Sequence, residues 1–156
     1  MGRTAATWKP EFVYGIGDNF YFYGVEDIHD AMWTNTFENV YTSNDLYCDW
    51  HLTTGNHDWN GGNATAQLAY SDVSHRWTFP AFHYTVDYEL QDGTTMRIIT
   101  VDTVLLVGIT GWRNDDPMGE PIDRAAADEA WKWIEETIKG ASLYFTMIIL
   151  YNLSSY

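Results

Sequence analysis

At 156 residues the chain has room for one compact domain. Hydrophobic residues at 46% and aromatics at 17% supply a packed core and exclude wholesale disorder. Eight Lys and Arg against 22 Asp and Glu give a formal net charge of −14, a surface that repels phosphate backbones and disfavours nucleic acid as a partner.

Met1 to Pro10 has no apolar run of the kind a secretory signal needs. Phe12 to Ile16 reads as a short buried strand that ends at Gly17-Asp18, an acid at its tip. From Glu26 to Tyr41, Ile28, Met32, Trp33, Phe37 and Val40 recur at helical spacing, and Asp27 and Asp30 suit the first turns of a helix. Tyr47 to Thr53 reads as a second strand running into Gly55-Asn56-His57-Asp58. Thr65 to Val73 suits a short helix with Leu68 and Val73 inward. Phe82 to Leu90 and Thr95 to Val101 alternate around Gln91-Asp92-Gly93-Thr94, the pattern of an antiparallel hairpin. Val104 to Val107 extends the apolar run, and Gly108 to Pro121 is loop-like. Asp123 can cap a helix to about Lys139 with Ala126, Ala130, Trp133, Ile134 and Ile138 as its stripe. Leu143 to Tyr151 is a last strand candidate. Strand, helix, strand, hairpin, helix, strand is an α/β plan with a mixed sheet. No run reaches the roughly 20 apolar residues of a membrane-spanning helix, so no membrane partner is expected.

Two loops share one design. Gly17-Asp18-Asn19-Phe20-Tyr21 and Gly55-Asn56-His57-Asp58 each follow an apolar run, begin with Gly and present oxygen or nitrogen donors. In open α/β sheets ligands bind beyond the carboxyl ends of strands, where such loops lie side by side. Asp18 has two oxygens and can bridge two cations. Asn56 offers a neutral hard oxygen. Tyr21 offers a phenolate, which only a strongly Lewis-acidic ion binds in place of its proton near neutral pH. His57 can ligate a metal or donate a proton. Such a set suits iron, manganese or zinc, and a pair of these can grip both the attacking and the leaving oxygens of a phosphoester. The competing reading is plain turn chemistry, since Gly, Asp and Asn favour turns unaided.

The remaining polar groups have simpler expectations. His29 reads as exposed, and His51 as a partly buried strand residue. His75 and His83 read as packing or surface groups, and Asp102 as a loop-fixing hydrogen-bond acceptor. Asp115 and Asp116 read as a solvated loop, Cys48 as a small apolar group, and Trp131 and Trp133 as rim and core. The lone cysteine excludes an internal disulfide and a Cys-based zinc cage. Asn63-Ala64-Thr65 and Asn152-Leu153-Ser154 are glycosylation triplets. The many aromatics would also suit a carbohydrate-binding module.

The paired loops resemble the metallophosphoesterases, and Gly17-Asp18-Asn19-Phe20-Tyr21 is similar to the form found in purple acid phosphatases, in particular their small mammalian type. Thr36-Phe37-Glu38-Asn39-Val40, Ala66-Gln67-Leu68-Ala69-Tyr70-Ser71, Arg76-Trp77-Thr78-Phe79-Pro80 and Val101-Asp102-Thr103 fit the same family in the same order, from about Pro10 to about Lys139. The resemblance implies a metallophosphoesterase-type β-sandwich of mixed sheets flanked by helices, here its N-terminal and central part, with 140–156 a divergent tail. It implies an acid phosphatase that hydrolyses phosphate monoesters by attack of a metal-bound hydroxide at a di-metal centre, iron(III) with iron, zinc or manganese. In that scheme Asp18 is the bridging carboxylate, Tyr21 the ferric tyrosinate and Asn56 a ligand of the divalent metal. His57 is the catalytic residue that contacts the substrate phosphate, and Asn63 is a glycan site. Small phosphate monoesters or phosphoproteins are the implied substrates, in a secreted or lysosomal setting.

The family also has a Gly-Asp-Trp-Gly-Gly-type motif before this region, and Gly-His-Tyr-Pro and Gly-His-x-His motifs after it. None has a counterpart in this sequence. The expectation is therefore a single incomplete domain over residues 1–156. The alternative reading is an inactive remnant that acts as a binding or regulatory module. An incomplete sandwich is also expected to self-associate through an exposed sheet edge.

Overall fold

The computed structural model describes residues 1–60, 63–108, 120–141 and 145–150. The chain is α/β, with helices beside parallel and antiparallel strand pairs, and divides into two compact units, Met1–Ala81 and Phe82–Tyr156.

The first unit opens with helix α1 (Gly2–Trp8), which ends where Lys9 turns into the left-handed region at φ 49°. Nothing in the sequence reading anticipated this helix. Three parallel strands follow in the order β1 (Phe12–Ile16), β2 (Asp49–Thr53), β3 (Trp77–Thr78). Ile16 pairs with Thr53, so β1 and β2 end level and their following loops leave the sheet side by side. β2 is the buried strand, from Trp50 to Thr53. β1, expected to be buried, is only half-buried, and Ile16 at its end is exposed.

The helix expected over Glu26–Tyr41 is much shorter. Residues 26–30 form bends and turns, and regular winding begins at Ala31 and continues as a π-helix over Trp33–Glu38. The acids cause the delay: Asp27 accepts from the His29 N–H, and Asp30 accepts from the N–H groups of Glu26 and Met32. Side chains that bond nearby amides compete with helical pairing and mark its start. The π character shows in the Asn39 N–H, which donates to the Thr34 carbonyl five residues back. Trp33 and Phe37 point inward from this element. Trp33 stacks flat on Tyr70, with ring centroids 3.6 Å apart and planes 6° from parallel, and meets Phe20 and Trp77 edge-on.

Helix α2 (Asn56–Trp59) and helix α3 (Ala64–Ala69) follow β2, and a 3-10 turn continues α3 through Asp72. The inward residues here are Ala64, Ala66, Gln67 and Tyr70; Leu68 is half-buried and Val73 exposed, against expectation. The reason is Gln67, a buried polar side chain that sets the helix face through its hydrogen bonds. Arg76 is almost wholly buried, yet all its charge is matched. It donates to Glu38 Oε2 at 2.5 Å and to the Tyr41 carbonyl at 2.8 Å, between the rings of Phe37 and Tyr47.

In the second unit, β4 (His83–Glu89) and β5 (Thr95–Val101) form the expected antiparallel hairpin. Gly93 supplies the positive φ of the turn, at 82°. β6 (Phe145–Leu150) joins β5 in parallel. The apolar run Val104 to Val107 falls in helix α4 (Thr103–Val107), which buried Asp102 caps by accepting from the Leu105 N–H at 3.0 Å. Helix α5 (Arg124–Gly140) has the expected Asp123 cap. Its buried residues are Ala127, Ala130 and Ile134; Ala130 and Ile134, with Trp133 beside them, pack against Ile99, Val101 and Leu106. Ala126 and Ile138, expected inside, are exposed. Asp115, Asp116 and the second triplet from Asn152 lie outside the described residues.

Candidate functional site

The register of β1 and β2 places the two glycine-led loops together in the first unit. Gly17 (φ 101°) and Asp18 (φ 50°) both take left-handed backbone conformations, so the chain turns off the strand at once. Asp is among the few residues with a side chain that tolerate that region. On the second loop Gly55 caps α2, so Asn56 and His57 form its first turn.

The structure joins Asp18, Tyr21 and His57 by direct contacts. The Tyr21 hydroxyl donates to Asp18 Oδ2 at 2.7 Å, and the His57 backbone N–H donates to Asp18 Oδ1 at 3.1 Å. The rings of Tyr21 and His57 lie 4.4 Å apart. Asn56 precedes His57 on the same turn and is half-buried. His57 Nδ1 sits 2.9 Å from the Phe22 carbonyl oxygen. A carbonyl only accepts, so Nδ1 carries the hydrogen of that bond. The hydrogen bond to Asp18, with burial and the charges of Asp18 and Asp58, pushes the Tyr21 phenol up to about 12.

Asn63 does not belong to this group. It caps α3, is exposed, and accepts from the Thr65 hydroxyl within its own triplet. His29 and His75 are exposed, His51 is buried and His83 half-buried. Cys48 is half-buried, and burial pushes its thiol up, away from a nucleophile's range.

The residues that hold the site together were not singled out by sequence reasoning. Asp58 is fully buried and accepts from the N–H groups of Asn19, Phe20 and Gly55 and from Gln67 Nε2. Burial pushes its carboxyl up, while those four bonds pull the other way. The Asn19 amide donates to the Thr53 carbonyl and to Gln67 Oε1. One signal was available: an acid three residues after a glycine cap is placed to reach back to the cap's N–H, as Asp58 does to Gly55.

Among the described residues no group of three or more His, Cys, Asp or Glu side chains is gathered that could hold a metal. The donors here are instead a carboxylate, a phenol and an amide from two adjoining loops. These are hard oxygen ligands and fit a hard cation.

No family model matches the chain. Comparison with curated proteins shows similarity along 95% of its length to tartrate-resistant acid phosphatase type 5 of Mus musculus, at 33% identity over 150 residues. The same protein of Sus scrofa is 34% identical over 154 residues. Purple acid phosphatase 3 of Arabidopsis thaliana is 38% identical over 69 residues, 44% of this chain and 19% of that protein. The resemblance to purple acid phosphatases therefore holds over nearly the whole sequence. The chain spans under half the length of the mammalian relatives, 46% of the mouse protein and 44% of the pig protein.

Proposed function

We propose that the two strand-end loops form part of the active site of an acid phosphatase acting on phosphate monoesters. The observation that carries this reading is the meeting of Asp18, Tyr21 and His57 at the level carboxyl ends of β1 and β2. The likeness to purple acid phosphatases along 95% of the chain supports it.

Asp18, Tyr21 and Asn56 would hold an iron(III)–divalent metal pair. Such a pair, when bound, supplies Lewis acidity that offsets phosphoryl charge and acidifies water. The chain's own residues supply the rest. Asp18 orients Tyr21 by accepting its hydroxyl hydrogen and fixes α2 by accepting the His57 N–H. The Phe22 carbonyl holds His57 through Nδ1, which assigns substrate contact and proton donation to Nε2. Asn63, exposed at the start of α3, is the glycan site of this reading. Three oxygen donors are few for two cations, so the rate expected of this chain by itself is low.

The test is iron and zinc uptake by the chain, followed by p-nitrophenyl phosphate hydrolysis near pH 5. Iron(III) should produce visible absorption that Tyr21→Phe abolishes. A chain that takes up neither metal and stays colourless would overturn the reading. Metal uptake with colour but no turnover would favour the alternative, a module that binds and does not hydrolyse.

A further inference from the structure

We infer that Asp58 is the positioning residue of the site, a buried carboxylate that holds the two donor-bearing loops in register. Its Oδ1 accepts from the Phe20 N–H at 3.1 Å and from Gln67 Nε2 at 2.9 Å. Its Oδ2 accepts from the Asn19 N–H at 3.1 Å and the Gly55 N–H at 2.9 Å. Four donors converge on one side chain from three segments: the loop after β1, the cap of α2, and α3. Only a carboxylate presents two oxygens that both accept twice. An amide of the same shape would turn its NH2 toward two N–H groups, and two bonds would be lost.

The placement in sequence gives this carboxylate its leverage. Asn19 and Phe20 lie between Asp18 and Tyr21, and Asp58 follows Asn56 and His57 directly. The bonds of Asp58 therefore act on the backbone that carries each donor. Gln67 closes the arrangement by accepting from Asn19 Nδ2 at 3.0 Å, and Asn19 Nδ2 also reaches the Thr53 carbonyl at the end of β2. Of the two Asp18 contacts only the His57 N–H crosses between the loops, since the Tyr21 hydroxyl bond stays within the first. The buried knot supplies a reference that solvent does not weaken.

This inference rests on the phosphatase reading only for what the register serves. Its test uses neither metal nor substrate, so the two fail separately. In the NMR spectrum of the full chain, the Tyr21 and His57 rings, 4.4 Å apart, should give strong cross-relaxation peaks. Asp58→Asn should weaken them at least about threefold while the inter-strand amide contacts of β1 and β2 persist. Gln67→Leu removes one donor of the four and should weaken them less, which keeps the test decisive if Asp58→Asn does not fold. Ring peaks at full strength in a folded Asp58→Asn would overturn the assignment. If only Gln67→Leu folds, full-strength peaks in it would do the same.

Discussion

Gly24 turns the chain at φ +69°, where a Cβ would stand 2.6 Å from the Asp58 carbonyl oxygen. Gly24→Ala must move backbone against backbone and adopt a disfavoured conformation, so we expect a loss of about 2–4 kcal/mol in urea unfolding. Arg76 poses the opposite case, a buried charge whose partners are all present. Arg76→Ala leaves Glu38 without its cation and the Tyr41 carbonyl without its donor. The expected loss is about 3 kcal/mol by the same measurement, with Glu38→Gln costing less because an amide still accepts. At this scale the sequence was partly legible. Asp18, Tyr21, Asn56 and His57 stood out as donor-bearing residues on two glycine-led loops, and the roles given to them are those the family resemblance implies. Asp58, Asn19 and Gln67 did not stand out, because their importance comes from burial and from partners up to 48 residues away. Composition is silent about both.

Helix α5 was legible because two independent signals agreed, a capping acid and an apolar stripe. Asp123→Ala removes the acceptor of the Ala126 N–H and should cost about 1 kcal/mol in thermal or urea unfolding. The stripe is displaced by one position at its start, since Ala126 and Ala127 are equally apolar and only the fold decides which of them is buried. The element over Glu26–Tyr41 was read too long for a different reason. Periodicity marks where a helix could run, while Asp27 and Asp30 decide where it begins by taking amides that helical pairing would use. Val104 to Val107 shows the limit of short apolar runs, which fit strand and helix equally until a cap such as Asp102 is weighed. The hairpin's pairing was legible from its Asp-Gly turn, and β4 alternates as expected, but β5 does not, since Ile98, Ile99, Thr100 and Val101 are all buried.

Across the molecule, Glu38, Asp87, His51 and His83 all make acid the destabilising direction, and the raised carboxyl of Asp58 opposes them. Burial would raise the Glu38 carboxyl, but bonds from Ser74 and Arg76 outweigh it and hold it below its ordinary 4.5. The paired bonds from Arg97 hold Asp87 below 3.8. Burial depresses His51 and His83 below 6.5. In each case the unfolded chain takes up protons before the folded one does. Their contributions are complete above the unfolded values and are lost as pH falls through the folded ones. Unfolding temperature should therefore decline from pH 6.5 downward, and more steeply below 4.5, when followed by calorimetry. The flat contact of Trp33 with Tyr70 gives such an experiment its own reporter. Two aromatic chromophores held parallel at 3.6 Å couple their electronic transitions, so the near-ultraviolet circular dichroism should carry a strong signed band from this pair. Both chromophores belong to Met1–Ala81. The decay of that band on heating times the melting of the first unit, and its lead or lag against the amide signal shows whether both units melt in one step.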